Sequence, residues 1–370
     1  MDKSAYVVGG YIRNLIRGKE SMDIDIVTGG NIKRLAEAVA QKINGTIVKF
    51  KKAGIIRVVS QGITLDFSEI KNSIYNDLSK RDFTINAIAW SPSEGLIDPF
   101  RGIDDVSRGI IRAVSEENLK DDPLRLLRAY RFVAEEGYRI DHQTRDMIRR
   151  FRKAIYVTAA ERITSELFKM LISPHYIKAL KNAFEDSLLK EIISIKRDRL
   201  LYNIKTLPRM ERFIDSLRGL PPFDSPLTKN EKSQGIYIAL DDEYSQGLTY
   251  KGLLRLERLL LGSKLEKNRL ILSRSIWKRL KAIEGAFKVY IRKRSLSSRI
   301  LFDIFYGLKE ASIDFSILTG RKGIFQEAQR FLIMEDLIPG ERLAKITGLR
   351  GKELGETLRE IRCLQFTGRI

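Results

Sequence analysis

The strongest constraint on how this chain folds is a single stretch, residues 121–133. Wound as a helix of about 3.6 residues per turn, it gathers one acidic and three basic side chains on one face: Asp122, Arg125, Arg128 and Arg131. The opposite face is apolar and consists of Leu126, Leu127, Tyr130, Val133 and Ala134. Pro123 suits a first helical turn, where its missing N–H costs nothing. We therefore predict a helix with one packed face and one charged face.

The chemistry of the charged face admits two interpretations. An ionised Asp only accepts hydrogen bonds and an Arg only donates them. A fixed pair of Asp122 and Arg125 therefore matches the amino donor and ring-nitrogen acceptor of cytosine or adenine, whereas uracil and guanine present the reverse order. Taken alone, the stretch is equally compatible with a solvated helix face held by salt bridges. The residues upstream decide between the two.

Charge is unevenly distributed over the 370 residues, whose formal net charge is +20. Residues 1–134 hold 21 Lys and Arg against 17 Asp and Glu, whereas the rest of the chain holds 46 against 30. The carboxyl-terminal two-thirds is therefore the part expected to bind a polyanion such as nucleic acid. A basic helical region can also be merely soluble, so charge alone does not decide the partner.

Residue counts exclude several kinds of site. The single cysteine, Cys363, cannot form an intrachain disulfide or a Cys-based zinc site. Only two histidines, His142 and His175, argue against histidine catalysis. The sequence shows no signal-peptide hydrophobic region and no apolar run of about 18 residues, so we expect a cytoplasmic protein with no membrane contact.

A glycine pair follows the first predicted strand, residues 5–8. Gly9 and Gly10 lead into a predicted helix over residues 11–17, so backbone N–H groups there can approach a phosphate, and Arg13 adds positive charge on the first turn. By itself such a pair indicates only a turn.

Two aspartates share one face of the next predicted strand, residues 22–27. Asp23 and Asp25 are two residues apart, and alternate residues of a strand point to the same side. Like charges this close are costly without a cation between them, and carboxylate oxygens select magnesium. The glycine turn followed by this strand predicts a two-metal phosphoryl-transfer site. Asp66, in a strand-like run over residues 63–67, is a candidate third catalytic carboxylate or an ordinary edge residue.

Further elements complete the first part of the chain. Asn31 is expected to cap a helix over residues 31–43, followed by strands over residues 46–50, 55–60 and 63–67. Asp82 is expected to cap a helix that begins at Phe83, leaving Arg81 free to reach a ribose or triphosphate oxygen. A basic residue beside a capped, buried helix is the alternative. Residues 95–98 read as a strand.

Only helices are predicted beyond Gly137. A helix over residues 159–171 carries Glu161 and Arg162, which could brace the helix over 121–133. Later helices show basic outer faces, which include Lys278, Arg279, Lys281, Arg292, Lys293 and Arg294. Near the end, residues 348–355 predict a glycine-containing turn that opens a helix to residue 364, either to grip an RNA backbone or as a simple helical corner.

Several of these motifs, in this order, resemble the class II tRNA nucleotidyltransferases, the family of CCA-adding, CC-adding and A-adding enzymes and poly(A) polymerases. The resemblance is dense over residues 5–171. It implies that Gly9, Gly10 and Arg13 contact the nucleotide and that Asp23 and Asp25 bind Mg²⁺. Arg81 and Asp82 are similar to the ribose-recognition motif, and residues 98–105 to the hinge motif. Asp122, Arg125, Arg128 and Arg131 resemble the amino-acid template that reads incoming CTP or ATP, supported by the helix over residues 160–171.

The family resemblance implies an α+β fold. A polymerase-β-like mixed sheet with helices is expected over residues 1–113 as the nucleotidyltransferase head. An all-α carboxyl-terminal region follows, with a neck over residues 114–200, a body over 201–300 and a tRNA-binding tail over 301–370. The partners implied are the tRNA acceptor stem and elbow, together with CTP or ATP. The oligomeric state is not predicted.

The sequence departs from the family pattern at four places. Asn14 stands where Asp is usual, Asp121 where Glu is usual, and Arg101 at a hinge position where Gly is common. The stretch between Phe67 and Arg81 is too short for the flexible loop of full CCA-adding members, and in this family its absence is associated with CC-only enzymes.

The expected activity is therefore template-independent addition of CMP from CTP to the tRNA 3′ end by two-metal transfer, with release of pyrophosphate. Complete CCA addition, A addition or poly(A) synthesis are the alternatives within the family. A catalytically inactive RNA-binding module is the alternative from another class.

Overall fold

The computed structural model describes residues 5–50, 54–223, 225–228, 236–293 and 296–370. The chain forms two compact units, residues 1–192 and residues 193–370. The first unit combines a sheet with helices and the second is mainly helical, so the predicted α+β class is confirmed.

The sheet of the first unit has seven strands: β1 (Ala5–Val8), β2 (Asp23–Thr28), β3 (Thr46–Phe50), β4 (Ile55–Ser60), β5 (Ile63–Glu69), β6 (Ala89–Ser91) and β7 (Gly95–Ile97). Their order is β3-β4-β5-β2-β1-β6-β7. Only the β2 and β5 pair is parallel, so the sheet is mixed as predicted. The three strands expected over residues 46–67 are confirmed.

The register of the central strands determines which side chains meet. Asp25 on β2 lies opposite Val8 on β1, so the turn after β1 begins beside this carboxylate. Asp25 also lies opposite Asp66 on β5. Paired residues of neighbouring strands share a face of the sheet, so both carboxylates project from the same side.

The helices that accompany the sheet are α1 (Gly10–Ile16), α2 (Ile32–Ile43), α3 (Ile74–Ser79), α4 (Gly102–Arg108), α5 (Glu116–Asp121), α6 (Leu124–Glu136), α7 (His142–Phe151), α8 (Ala160–Ile172), α9 (Tyr176–Glu185) and α10 (Leu189–Ile192). The predicted cap of α2 is confirmed, because Asn31 accepts a hydrogen bond from the Arg34 amide at 2.9 Å. Two short strands, β8 (Ile110–Ile111) and β9 (Arg139–Ile140), pair in parallel beside this helical part.

The helix predicted over residues 121–133 is α6. All five side chains of its predicted apolar face are completely buried: Leu126, Leu127, Tyr130, Val133 and Ala134. Tyr130 donates to Asp186, whose carboxylate also binds Arg145 and Arg149 of α7. Gly137 ends the helix in the left-handed conformation, with φ of 71°. Apolar packing and this buried anchor together hold α6 in a single orientation.

The prediction of a helix that begins at Phe83 is wrong. Residues Thr84–Asn86 form one 3₁₀ turn, and the chain then enters β6. The apolar run after Asn86 is used by the sheet, since Trp90 pairs with Val7 of β1. The expected strand at residue 95 is confirmed as β7, the edge strand.

The helices of the second unit are α11 (Arg197–Ser216), α12 (Tyr250–Leu260), α13 (Arg274–Arg292), α14 (Ser298–Leu308), α15 (Ser312–Thr319), α16 (Lys322–Ile333), α17 (Gly340–Thr347) and α18 (Gly351–Phe366). Two short strands, β10 (Glu243–Ser245) and β11 (Leu248–Thr249), pair before α12 and add a small hairpin to the predicted helices. In the described parts of the chain, no helix is both long enough and apolar enough to span a membrane.

One residue of the predicted basic faces points inward. Arg279 is 13% exposed and binds the buried carboxylate of Asp314, with Glu257 3.6 Å away. Tyr250 also donates to Asp314. Arg279 therefore pairs with Asp314 and does not face solvent, while burial and the Asp314 charge raise the pKa of Glu257 well above its usual value. Arg294 lies outside the described residues.

Candidate active site

Ten of the twelve site residues expected from the sequence line one cleft of the first unit, with a volume of about 510 Å³. They are Gly10, Arg13, Asp23, Asp25, Arg81, Asp82, Asp122, Arg125, Arg128 and Arg131. Asn86, Phe132 and Arg162 line the same cleft. Gly9 and Asp66 are not among the residues that line it. The fold thus brings the strand β2 and the charged face of α6 to one place.

Asp23 and Asp25 present their carboxylates to the cleft without a hydrogen-bond or ion-pair partner among the described residues. The pKa of Asp25 is raised, first by loss of solvent and then by the charges of Asp66 and Asp23, while Arg81 opposes the shift. A raised carboxyl pKa means that its charge is undercompensated by the protein. A bound cation would supply the missing compensation.

Asp66, unlike Asp23 and Asp25, is bound by an arginine of the sheet. Arg57, its neighbour on β4, binds both oxygens of Asp66 at 2.7 Å. This bidentate pair neutralises the third carboxylate from the far side of β5. Asp66 is therefore close enough to Asp25 to influence its pKa, but its oxygens are already occupied. Its catalytic role stays a prediction.

Gly9 is required by two independent features of the turn. Its φ is 73°, in the left-handed region that glycine adopts without strain. A Cβ atom at Gly9 would lie 2.7 Å from Nη1 of Arg81. The sequence predicts a free Arg81, but Asp77 of α3 accepts hydrogen bonds from its Nε and Nη2 at 3.1 and 2.9 Å. The missing side chain of Gly9 thus makes room for a guanidinium held at the edge of the cleft.

Arg13 is buried on α1 and is oriented from two sides. Its Nη1 donates to Oδ1 of Asn86, and its Nη2 donates to Oδ1 of Asn14 at 3.3 Å. Its guanidinium carbon lies 5.2 Å from the centre of the Phe132 ring. Asn14, which stands where the family usually has Asp, therefore still supplies an acceptor. Asn14 supplies no negative charge, and Glu136 supplies one instead, with its Oε1 4.0 Å from Nε of Arg13.

Asp82 is a buried hub that connects three elements. One oxygen accepts from the Phe83 amide at 2.8 Å and from Asn86 at 3.0 Å, and the other accepts from Arg128 at 2.9 Å. Burial alone would raise the pKa of Asp82, but the Arg128 charge and these hydrogen bonds outweigh it, so the pKa is lowered. All its described partners belong to the protein. A direct contact of Asp82 with a nucleotide stays a prediction.

Glu166 of α8 orders two arginines of α6. Its Oε2 lies 3.1 Å from Nε of Arg131, and its Oε1 lies 3.7 Å from Nη1 of Arg128. Both guanidinium groups also lie against the Phe132 ring, at 5.7 Å for Arg128 and 4.6 Å for Arg131. These two arginines are thus held by the protein, with Asp82 and Glu166 balancing their charges, and they form a rigid wall of the cleft.

Asp122 is paired with Arg162 of α8 and not with Arg125. Arg162 binds its two oxygens at 3.1 and 2.8 Å, which confirms that this helix braces α6. Arg125 instead donates one N–H to the carbonyl of Asn118 at 3.1 Å. Asp122 and Arg125 are thus each positioned by a different element, and their joint contact with a base stays a prediction. Both side chains nevertheless line the cleft.

The third departure from the family pattern is Arg101 in the hinge, and its backbone conformation shows why glycine is common at this position. Arg101 has φ of 57°, a left-handed conformation in which glycine is favoured. Asp98 accepts from the amides of Gly102 and Ile103, which opens α4. A Cβ atom at Gly102 would lie 2.1 Å from the Thr84 carbonyl oxygen. The glycine that close packing requires is therefore Gly102, whereas Arg101 tolerates a strained backbone.

The donor set fits a magnesium ion by its chemistry. Among the described residues, no group of three or more His, Cys, Asp or Glu side chains is gathered as a metal cage. Asp23 and Asp25 supply two hard oxygen donors on one strand, and the remaining ligands of Mg²⁺ are commonly water and substrate phosphates. Two unpaired carboxylates in an open cleft match that pattern.

The sequence does not single out three side chains that shape this site: Asn86, Phe132 and Glu166. Asn86 is a polar residue within the apolar run over residues 83–90, and Glu166 lies on the buried face of an amphipathic helix. A polar residue at a buried position needs a partner, and that was the available signal. Phe132 carries no such signal, since an aromatic residue on a helix usually belongs to the core.

Two protein-family models match the chain. The model described as "Poly A polymerase head domain" matches residues 5–73 and 63–112. The model described as "Probable RNA and SrmB- binding site of polymerase A" matches residues 137–195. Together they cover the sheet, the part of the cleft formed before residue 113, and the helices that follow α6, whereas residues 113–136, which include α6, lie outside both matches.

Curated relatives carry several related names. The CC-adding tRNA nucleotidyltransferase of Synechocystis sp. is 39% identical over 190 residues, or 50% of this chain and 46% of that protein. The CC-adding tRNA nucleotidyltransferase of Geobacter sulfurreducens is 28% identical over 99% of this chain and 89% of that protein. The A-adding tRNA nucleotidyltransferase of Deinococcus radiodurans is 35% identical over 46% of this chain and 40% of that protein. The first and third matches thus span less than half of the relative's length.

A solved structure shares the fold. The Thermotoga maritima CCA-adding enzyme complexed with tRNA superposes with a TM-score of 0.73, covering 99% of this chain and 87% of that chain at 23% identity. This likeness confirms the predicted order of a mixed-sheet head followed by helices.

Proposed function

We propose that this chain, as a member of the class II tRNA nucleotidyltransferase family, adds CMP residues from CTP to the 3′ end of tRNA without a template. The 3′-oxygen attacks the α-phosphorus, the bond from the α-phosphorus to the bridging oxygen breaks, and pyrophosphate leaves. Names of the relatives include CC-adding and A-adding enzymes, so the nucleotide choice has to be argued from this chain's own residues.

One observation carries the proposal. A single cleft contains Asp23 and Asp25, two carboxylates without a partner among the described residues, together with the guanidinium groups of Arg13, Arg81 and Arg125. The carboxylates suit a cation, and the guanidinium groups suit a triphosphate. Nucleotide and metal would therefore be held in the same space.

The roles of the residues around the reacting groups follow from their chemistry. Asp23 and Asp25 hold Mg²⁺, which when bound supplies positive charge that lowers the pKa of the attacking hydroxyl and stabilises the transferring phosphoryl group. Arg13 binds triphosphate oxygens together with the backbone at Gly10, and Arg81 binds the sugar side. Positioning and charge compensation are the main contributions that a protein makes to this reaction.

Base selection rests on Asp122 and Arg125. Oδ1 of Asp122 accepts from Arg162 and from the Leu124 amide, whereas Oδ2 accepts from Arg162 alone, so Oδ2 has a further lone pair that can accept from the amino group of cytosine. Arg125 uses one of its five N–H donors on Asn118, and the others can reach the ring nitrogen. Asp82 supports this arrangement through Arg128.

The preference for CTP alone is supported by a short connection. β5 ends at Glu69 and α3 begins at Ile74, so only residues 70–73 lie between them. The family resemblance implies that full CCA-adding members carry a flexible loop in this region. A rigid pocket sized for cytosine has to rearrange to accept adenine, and a mobile segment is what drives such a change. Four connecting residues leave little room for that movement.

A product-length assay tests the proposal. Purified protein receives Mg²⁺ and a tRNA that ends at the discriminator base, with CTP alone, ATP alone or both. We expect growth by two C residues whenever CTP is present and no growth with ATP alone. Growth by CCA with both nucleotides would instead identify a complete CCA-adding enzyme. Addition of a single A to a tRNA that ends in CC would identify an A-adding enzyme.

A pair of variants separates an enzyme from an inactive RNA-binding module. Asp23→Ala should abolish incorporation while leaving tRNA binding nearly intact. Glu37→Ala, on the exposed face of α2, removes the same charge away from the cleft and should keep full activity. A wild-type protein that binds tRNA but incorporates nothing with Mg²⁺ would support the inactive module.

We also propose that the helical region holds the tRNA, with a neck over residues 114–200, a body over 201–300 and a tail over 301–370. The excess of Lys and Arg after residue 134 supports this assignment. Phosphate contacts release counterions, so tRNA affinity should fall steeply between low and physiological salt. An affinity that is insensitive to salt would contradict it.

A further inference from the structure

A second polar pocket lies in the unit of residues 193–370, between α11, α12, α13 and the carboxyl-terminal end of α15. Its volume is about 250 Å³. Three arginines line it, Arg209, Arg258 and Arg321, and its lining contains no acidic side chain. We refer to these three residues and the space between them as the α15 pocket.

Arg258 is the buried member of this group. It is 8% exposed, and its Nη2 donates to the Leu318 carbonyl at 3.1 Å. Its Nε is buried and has no hydrogen-bond partner among the described residues. Burial first, and then the charges of Arg199 and Arg209, lower the pKa of Arg258 to about 10, with Tyr202 opposing. A buried guanidinium without a countercharge is costly, so a ligand that accepts from it is favoured.

The two outer arginines are also uncompensated. Neither Arg209 nor Arg321 forms an ion pair within the described ranges, although both are exposed at the mouth of the pocket. Arg321 lies over the ring of Tyr290, with its guanidinium carbon 5.6 Å from the ring centre. The Arg209 guanidinium lies beside Gly320, where a Cβ atom would be 3.5 Å from Nε. Both cations are thus positioned without an acid.

Other arginines of the same unit that are shielded from solvent have a carboxylate partner. Arg255 is buried and binds Glu211 at 2.8 Å. Arg279 binds Asp314 and lies near Glu257. In this unit a buried arginine therefore normally has a carboxylate within reach, and the α15 pocket departs from that rule.

Capping of a helix explains only part of the arrangement. The last carbonyls of α15 carry partial negative charge, and Arg258 donates to one of them. The carboxyl-terminal end of a helix is equivalent to about half an elementary charge. The total charge of three guanidinium groups exceeds this partial charge several-fold. Net positive charge therefore remains for a ligand.

We propose that the α15 pocket binds a phosphate group. Guanidinium groups donate paired hydrogen bonds to phosphate oxygens, and three of them around a small cavity match a tetrahedral anion. The phosphate could belong to an RNA backbone or to a free anion such as inorganic phosphate or pyrophosphate. This site goes beyond the proposed function, because it uses no residue of the cleft and requires no nucleotide transfer.

The first experiment measures binding of inorganic phosphate to the full chain by equilibrium dialysis with labelled phosphate. The variant is Arg209→Ala/Arg321→Ala, since both side chains are exposed and their loss should spare the fold. Loss of two charge-assisted contacts should weaken phosphate binding at this site at least about tenfold, seen as one phosphate fewer per chain. Arg258→Gln, which can still donate to Leu318, should give the same result.

Arg274→Ala is the matched control, because Arg274 is an exposed arginine of the same unit outside the pocket. It should keep the wild-type stoichiometry. Circular dichroism checks that each variant is folded. The proposal is overturned if wild type and the double variant bind the same number of phosphates with affinities within about twofold.

The second experiment identifies the source of the phosphate by titrating tRNA into wild type and the double variant at several salt concentrations. An RNA-backbone ligand predicts weaker tRNA binding and a salt slope that is shallower by about one to two. Unchanged tRNA binding together with lost phosphate binding assigns the pocket to a free anion. If wild type does not bind tRNA, the proposed function fails while the dialysis result still decides the α15 pocket.

Discussion

Arg162 binds both carboxylate oxygens of Asp122, at 3.1 and 2.8 Å, although the two residues are 40 positions apart in the chain. The contact joins the beginning of α8 to the residue that precedes α6. It fixes the direction of a carboxylate that we assign to base selection. Through Arg162, which also lines the cleft, α8 thereby helps to determine what the cleft can recognise.

Removing this brace should impair nucleotide selection more than folding. We expect Arg162→Ala to lower kcat/KM for CTP by about tenfold or more, since a charge-assisted bidentate contact that orients Asp122 is lost. The pair is half exposed, so the free energy of unfolding should change by less than about 1 kcal/mol. Steady-state incorporation measures kcat/KM, and urea unfolding measures the free energy of unfolding. Arg150→Ala, which breaks the exposed pair with Glu116, is the control, and equal kcat/KM values for both variants would contradict the role of Arg162.

Glu166 should matter for stability. Glu166→Gln keeps the shape of the side chain and removes the charge that compensates Arg128 and Arg131. Because a buried ion-pair partner is lost, the free energy of unfolding should fall by at least about 2 kcal/mol. Glu161→Gln, on the exposed face of the same helix, should cost under about 1 kcal/mol. Urea denaturation followed by circular dichroism compares them, and similar losses would show that Glu166 is not an organising charge.

The buried Asp82 should make stability depend on pH. Its folded pKa lies below its usual value of 3.8, so its contribution is fully present above that value and is lost as the pH falls through the folded pKa. Asp82→Asn removes this titration. We expect the variant to lose about 2 to 4 kcal/mol at neutral pH and the difference from wild type to shrink below about pH 4. Urea unfolding across the pH range checks this, and a difference that stays constant would refute it.

The three aspartates of the sheet should differ in their effect on catalysis. Asp25→Asn should lower kcat by about a thousandfold, because several kcal/mol of charge compensation at the metal are lost. Asp66→Asn should cost clearly less, since Arg57 already neutralises this carboxylate. Single-turnover incorporation at saturating Mg²⁺ separates the two. Equal losses would instead establish Asp66 as the third catalytic carboxylate.

The hinge offers a stabilising substitution. Arg101 has φ of 57°, so Arg101→Gly should relieve strain and raise the free energy of unfolding by roughly 0.5 to 1 kcal/mol. Gly102→Ala should have the opposite effect, with a loss of more than about 2 kcal/mol, because its Cβ would overlap the Thr84 carbonyl. Thermal and urea unfolding measure both. Destabilisation by Arg101→Gly would mean that the arginine side chain supports the hinge.

Much of the site could be predicted because its signals are local. Alternation along β2 places Asp23 and Asp25 on one face, and the helical period separates the arginines of α6 from its buried residues. The helix wrongly expected after Asp82 shows the limit of this reasoning. A short apolar run fits a buried helix or a buried strand, and pairing of Trp90 with Val7 decided for the sheet.

The amino-acid order by itself determined which chemical groups are available and which of them share a face of one element: two carboxylates on a strand, and a carboxylate with three guanidinium groups along a helix. The tertiary structure alone decided which charge faces which. It pairs Asp66 with Arg57, Asp82 with Arg128 and Asp122 with Arg162, and in the described parts of the chain it leaves Asp23 and Asp25 without an ion-pair partner. Ion pairs form between groups that are close in space, and periodicity within one segment carries no information about neighbours that arrive from another.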